Sequence, residues 1–63
     1  MCMSTAYELR DGEDIFICDY VREAKVEDGS VLLTDITGRQ TAVAGTIRTI
    51  DLVKNTILID PAK

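Results

Sequence analysis

Two thiols and no imidazole define the chemistry open to this chain. Cysteine stands at positions 2 and 18, and none of the 63 residues is histidine. That absence removes most ordinary zinc, iron and catalytic arrangements. Cys2 lies beside the first residue, so its thiolate, its own backbone nitrogen and the next amide converge on one ion with no fold to arrange them. Removal of Met1 would add a free α-amine. Such a nitrogen-and-sulfur set suits a soft or borderline metal that accepts planar geometry, such as Ni(II) or copper. The competing reading makes Cys2 a small hydrophobe at the edge of a core. Position favours the ligand, because a second residue is rarely ordered enough to serve as core and keeps the access a metal requires.

Cys18 sits inside the apolar run Ile15-Phe16-Ile17-Cys18-Asp19-Tyr20-Val21. Free cysteine is among the most buried residue types, so a core role is expected. A second ligand beside Cys2 and a disulfide to it stay open. The carboxylates Asp11, Glu13, Asp14, Glu27 and Asp28 fall in two turns, where a solvated surface is expected; calcium loops need a denser oxygen pattern. Asp19, Asp35 and Asp51 lie inside apolar runs, as edge gatekeepers or as partners for Arg22, Arg39 or Arg48. Gly29, Gly38 and Gly45 follow no phosphate-loop spacing. Without histidine no nucleophile-and-base set forms, and no catalysis is expected.

Short β-type runs position these groups: Met3 to Leu9, Asp14 to Val26, Val31 to Ile36, Gln40 to Ala44, Ile47 to Val53 and Thr56 to Ile59. The second is long enough for two strands or one bent strand. Asp28-Gly29 between polar residues is a hairpin signal, since glycine tolerates the positive φ such turns need. Pro61 ends the last run, having no N–H to give a ladder. Val, Ile and Thr dominate, and no helical repeat is visible. The pattern predicts one all-β domain over 1–63, a small antiparallel barrel or half-barrel, Sm-like or SH3-like, of six or seven short strands.

A chain this short hides only about 60% of the surface its unfolded form exposes. Ile15, Ile17 and Val21 share one parity while Phe16, Cys18 and Tyr20 share the other. Val31 and Leu33 likewise oppose Leu32 and Ile36. Strands apolar on both faces need cover on both, and a second copy supplies it, so a homodimer is expected. There is no signal-peptide pattern and no run near the roughly 20 apolar residues of a membrane span. The chain reads as cytoplasmic, with reduced thiols and no membrane partner. Eleven acidic residues against seven basic give a net charge of −4. Nucleic-acid binding therefore lacks its usual electrostatic footprint. It would need a local cluster of Arg22, Lys25, Arg39 and Arg48 beside an exposed Tyr7 or Tyr20.

The whole chain resembles the CooT family of small nickel-binding proteins, whose members are also described as RNA-binding. The resemblance rests on the opening Met1-Cys2-Met3, the length, the Glu27-Asp28-Gly29 turn before Val31, and Ile50-Asp51-Leu52 followed by Ile57. It implies Ni(II) bound through Cys2 in a homodimer, and a role in nickel trafficking or carbon monoxide dehydrogenase maturation, with a nickel enzyme or its maturation factors as partners. Cys18 matches no family ligand. The barrel's likeness to Sm-like folds keeps an RNA-binding module as the alternative.

Overall fold

The chain reverses direction at Asp11-Gly12 and Asp28-Gly29, and these two turns set the register of the first three strands. Asp11 (φ 50°) and Gly12 (φ 79°) both take the left-handed backbone between the paired residues Arg10 and Glu13. Two central residues at positive φ match the right-handed twist of the flanking strands. The second turn joins the pair Glu27 and Ser30, with Gly29 at φ 77°. The computed structural model describes residues 3–62. Met1, Cys2 and Lys63 lie outside the described residues.

Five strands follow in order: β1 (Ser4–Arg10), β2 (Glu13–Glu27), β3 (Ser30–Asp35), β4 (Gln40–Asp51) and β5 (Thr56–Pro61). Each pairs with the next, and β5 returns to β1, closing the barrel. Neighbours in chain order are antiparallel. An odd number of up-and-down strands cannot close antiparallel, so the β1–β5 seam is parallel, from Thr5↔Thr56 to Glu8↔Ile59. No helix is long and apolar enough to cross a membrane among the described residues.

The expected six or seven short strands are five, because two of them bend without breaking. β2 pairs with β1 through Val21 and with β3 from Val21 onward. Its corner carries register shifts on both sides and Tyr20 at φ 55°. Bulges of this kind sharpen twist and let one strand serve two sheets. β4 does the same at Gly45, pairing with β3 before it and β5 from it. Gly45 was expected to break the strand and instead continues it. Its φ is 145°, and a Cβ there would collide with the Asp60 carbonyl oxygen and stand 3.0 Å from the Pro61 Cα.

The interior is filled by Ala6, Val21, Val31, Leu33, Val43, Ile57 and Ile59. Alternate residues of β3 and β5 supply four of the seven, as the two-residue period of a strand requires. Ile17, Cys18, Ala24 and Ile47 pack against this core while partly exposed. Ile15, Phe16, Tyr20, Val26, Ile36 and Ile50 are exposed.

Candidate metal centre

The chain enters β1 at one end of the barrel, and three other segments meet it there. Ser4 pairs with Val21 of β2. The Thr5 amide donates to the Asn55 carbonyl at 2.9 Å, and the Ile36 amide donates to the Tyr20 carbonyl at 3.0 Å. Cys2, the predicted ligand, precedes this junction and lies outside the described residues.

The turn between β4 and β5 is built by its own side chains. Asp51 Oδ1 accepts from the amides of Val53 (3.0 Å) and Lys54 (2.9 Å), and Asn55 takes φ 56°. An aspartate binding backbone two residues on and an asparagine in left-handed conformation are both standard turn chemistry. The tip presents Leu52 and Val53, 79% and 93% exposed. These two were expected to finish a strand running to Val53; β4 stops at Asp51 because its carboxylate captures the amides that follow. Asp51 followed by Asn55 was the signal for that turn.

Cys18 lies opposite Ala6 in the β1–β2 ladder. Among the described residues it has no disulfide partner, and it is half-buried against the core. Burial pushes its pKa up, and the negative charges of Asp35 and Asp19 add to the shift. All three causes disfavour the thiolate, which is the form that ligates metal. No group of three or more Cys, Asp or Glu side chains able to hold an ion occurs among the described residues.

The carboxylates and cations mostly serve the barrel. Asp35 Oδ1 accepts from the Thr37 hydroxyl (2.6 Å) and amide (2.9 Å) and from the Arg39 amide (3.0 Å). The Thr37 hydroxyl bond is the main reason its carboxyl sits below the usual range, with the two amides and the Arg39 charge helping and desolvation opposing. Arg22 donates to the Asp35 backbone carbonyl. Arg48 grips both oxygens of Asp60 at 3.2 and 3.1 Å, none of the Asp19, Asp35 and Asp51 expected as its partners. Tyr20 is exposed, but Arg22 and Arg48 are engaged and the Arg39 charge acts on Asp35.

The family model "CO dehydrogenase accessory protein CooT" matches residues 1–60. No curated protein sequence matches the chain. Among solved structures it is similar to the crystal structure described as "putative CooT from Carboxydothermus hydrogenoformans", with a TM-score of 0.87 and 19% identity over 98% of this chain and 100% of that one. At that identity the likeness speaks for the fold, while the family model covers nearly the whole sequence. The chain belongs to the CooT family of CO dehydrogenase accessory proteins, which are not catalytic enzymes.

Proposed function

We propose that this protein binds Ni(II) through Cys2 at a homodimer interface and acts in nickel trafficking or carbon monoxide dehydrogenase maturation in the cytoplasm. The observation that carries the reading is the exposed apolar end of the barrel where β1 begins. Tyr20, Ile36, Ile50, Leu52 and Val53 are all more than half exposed there. Contiguous apolar surface rimmed by polar groups marks an interaction site. A second copy docked end to end covers it and brings the two segments preceding Ser4 together. Two-fold symmetry then makes the site self-complementary. Two Cys2 thiolates with two backbone nitrogens give a planar S2N2 set, which fits Ni(II).

The donor chemistry is consistent with that assignment. The chain has no histidine, and Cys18 is held toward its neutral thiol. Nickel is cargo in this reading. Binding releases protons as thiols and amides ionise, so affinity rises with pH. Titration with Ni(II) is expected to give a thiolate-to-nickel charge-transfer band saturating at one ion per dimer. Cys2→Ser abolishes the band and Cys18→Ser leaves it. A band that persists in Cys2→Ser, or disappears in Cys18→Ser alone, overturns the assignment.

Exposed Phe16 and Tyr20 are what favours the second reading, an Sm-like RNA-binding module, since exposed aromatics stack on bases. The engaged arginines and the charge of −4 oppose it. RNA association is expected to vanish by about 0.15 M salt, where the Debye length is roughly 8 Å. Sequence-selective binding at that salt would promote this reading over nickel.

A further inference from the structure

Among the described residues three other than glycine hold a left-handed backbone: Asp11 (φ 50°), Tyr20 (φ 55°) and Asn55 (φ 56°). Aspartate and asparagine visit that region readily, because a short polar side chain can bond locally to the backbone. A bulky side chain there is an outlier. Tyr20 stands at the corner of β2, between the pairs Ser4↔Val21 and Ala6↔Cys18. A bulge that needs one left-handed residue ordinarily takes glycine. The backbone of this corner would form more easily without the ring it carries.

The fold makes little use of that ring. Tyr20 is 59% exposed. Among the described residues the paired rings are Tyr7 and Phe16, and the side-chain hydrogen bonds join other groups. The corner does use the Tyr20 carbonyl, which accepts from the Ile36 amide at 3.0 Å, but any residue supplies a carbonyl. Backbone strain of this kind is characteristic of ligand clamps and active sites.

The corner lies beside the head of β1. Val21, next to Tyr20, pairs with Ser4, and Cys2 is two residues before Ser4. Consecutive Cα atoms stand about 3.8 Å apart, so the covalent chain alone keeps Cys2 within about 8 Å of the Ser4 Cα. A tyrosine side chain on the neighbouring strand spans such a gap. The other groups there suit a thiolate badly. The carboxylates Asp19 and Asp35 accept hydrogen bonds and have none to give. Arg22 Nε is committed to the Asp35 carbonyl, and the Thr37 hydroxyl to the Asp35 carboxylate. Ser4 shares the parity of Ala6, a core residue. The Tyr20 phenol is left as an uncommitted donor.

We propose that Tyr20 is a positioning residue of the nickel site: its phenol hydroxyl donates a hydrogen bond to a Cys2 thiolate, and the left-handed corner of β2 holds it there. The inference rests on the proposed Ni(II) site. A donor to a ligand sulfur fixes that ligand's orientation and raises metal affinity, as outer-shell partners generally do. It also stabilises the sulfur lone pairs, so the thiolate-to-nickel charge-transfer band lies at shorter wavelength than it would without the bond.

The test titrates Ni(II) into the full chain carrying Tyr20→Phe, which keeps the ring and the corner and removes only the hydroxyl. The urea midpoint of the metal-free chain should not change, because the hydroxyl has no partner within the protomer. Nickel affinity is expected to fall by about ten- to a hundredfold. The charge-transfer band should move to longer wavelength, with the stoichiometry unchanged. Tyr20→Asn tolerates the same backbone and loses the phenol, and should weaken binding at least as much. An unchanged band and affinity in Tyr20→Phe overturns the proposal; if Cys2→Ser still abolishes the band, the nickel reading survives without it. A band that persists in Cys2→Ser overturns both. A lower urea midpoint in metal-free Tyr20→Phe would give the hydroxyl a partner inside the chain and would overturn the proposal as well.

Discussion

Strands β4 and β5 hold both the tightest and the most open place in the molecule, only a few residues apart. At Gly45 the strands approach so closely that a single methyl group has no room. At the other end of the same pair, Leu52 and Val53 stand in water. The turn that carries them does not need them, because its geometry comes from the Asp51 carboxylate and from Asn55. The Asp11-Gly12 turn closes equally well with no apolar residue at all. The β4–β5 seam at Gly45 answers to folding, and the apolar turn tip is left over for the proposed dimer.

The largest expected effect falls on the seam. Gly45→Ala places a Cβ against the Asp60 carbonyl and demands a positive φ of a residue that resists it. A loss of about 3 kcal/mol or more is expected, read as a lower urea midpoint at every protein concentration. An unchanged midpoint would mean that the two strands can part by about an ångström or more at Gly45, and the contrast between the two regions would lose its basis.

At the turn tip the response should depend on concentration. Leu52→Ser and Val53→Ser remove no buried contact within one chain, so unfolding of the isolated protomer should shift by under about 0.5 kcal/mol. If the pair anchors the dimer, each substitution should raise its dissociation constant by about thirtyfold, equivalent to about 2 kcal/mol. Sedimentation across a dilution series separates the two quantities. A dimer indifferent to both changes would place its interface elsewhere on the barrel.

A smaller gain is expected inside the wall. Thr34 is buried, and its hydroxyl has no hydrogen-bond partner. Thr34→Val keeps the shape and removes the stranded polar group, which should stabilise the fold by about 1 kcal/mol. A loss instead would reveal an unrecorded partner, on a face that the seam-and-tip contrast treats as settled by packing alone.

The parts of this fold legible in sequence are those fixed by local chemistry. Asp28-Gly29 announced its hairpin, whereas Val31 with Leu33 and Leu32 with Ile36 read as two apolar faces, and it is the Val31–Leu33 face that lines the core. The corners were not legible. Tyr20 carries a bulge conformation with no glycine to mark it, and Gly45 read as a break because its reason, the approach of Asp60, is fifteen positions away. The break at Gly45 split β4 into two, while for Asp14 to Val26 the bent-strand alternative is the one that holds. The two-sided apolar character of Ile15 to Tyr20 was visible, but burial does not sort by parity there: adjacent Ile17 and Cys18 both pack against the core, while Ile15, Phe16 and Tyr20 are exposed. For the proposed metal centre, the sequence pointed to Cys2 through its position, the family likeness and the missing histidine. It could not reveal the collar of Tyr20, Ile36 and Leu52, which the corner of β2 and two turns bring to the head of β1.

The smallest effect concerns the turn that presents Ile36 to that collar. Asp35 accepts three hydrogen bonds from Thr37 and Arg39, and its folded pKa lies below the ordinary value, chiefly because of the Thr37 hydroxyl. An unfolded aspartate titrates near 3.9, roughly. A depressed folded pKa means the unfolded chain takes up the proton first. The contribution is thus complete above the unfolded value and disappears as pH falls through the lower folded one. Asp35→Asn keeps an acceptor and loses the charge. Its urea midpoint should sit below that of the unmodified chain at neutral pH and converge with it on the acid limb. A gap constant from neutral pH to below pH 3 would assign the turn to hydrogen-bond geometry alone, and Ile36 would then be held at the collar without help from charge.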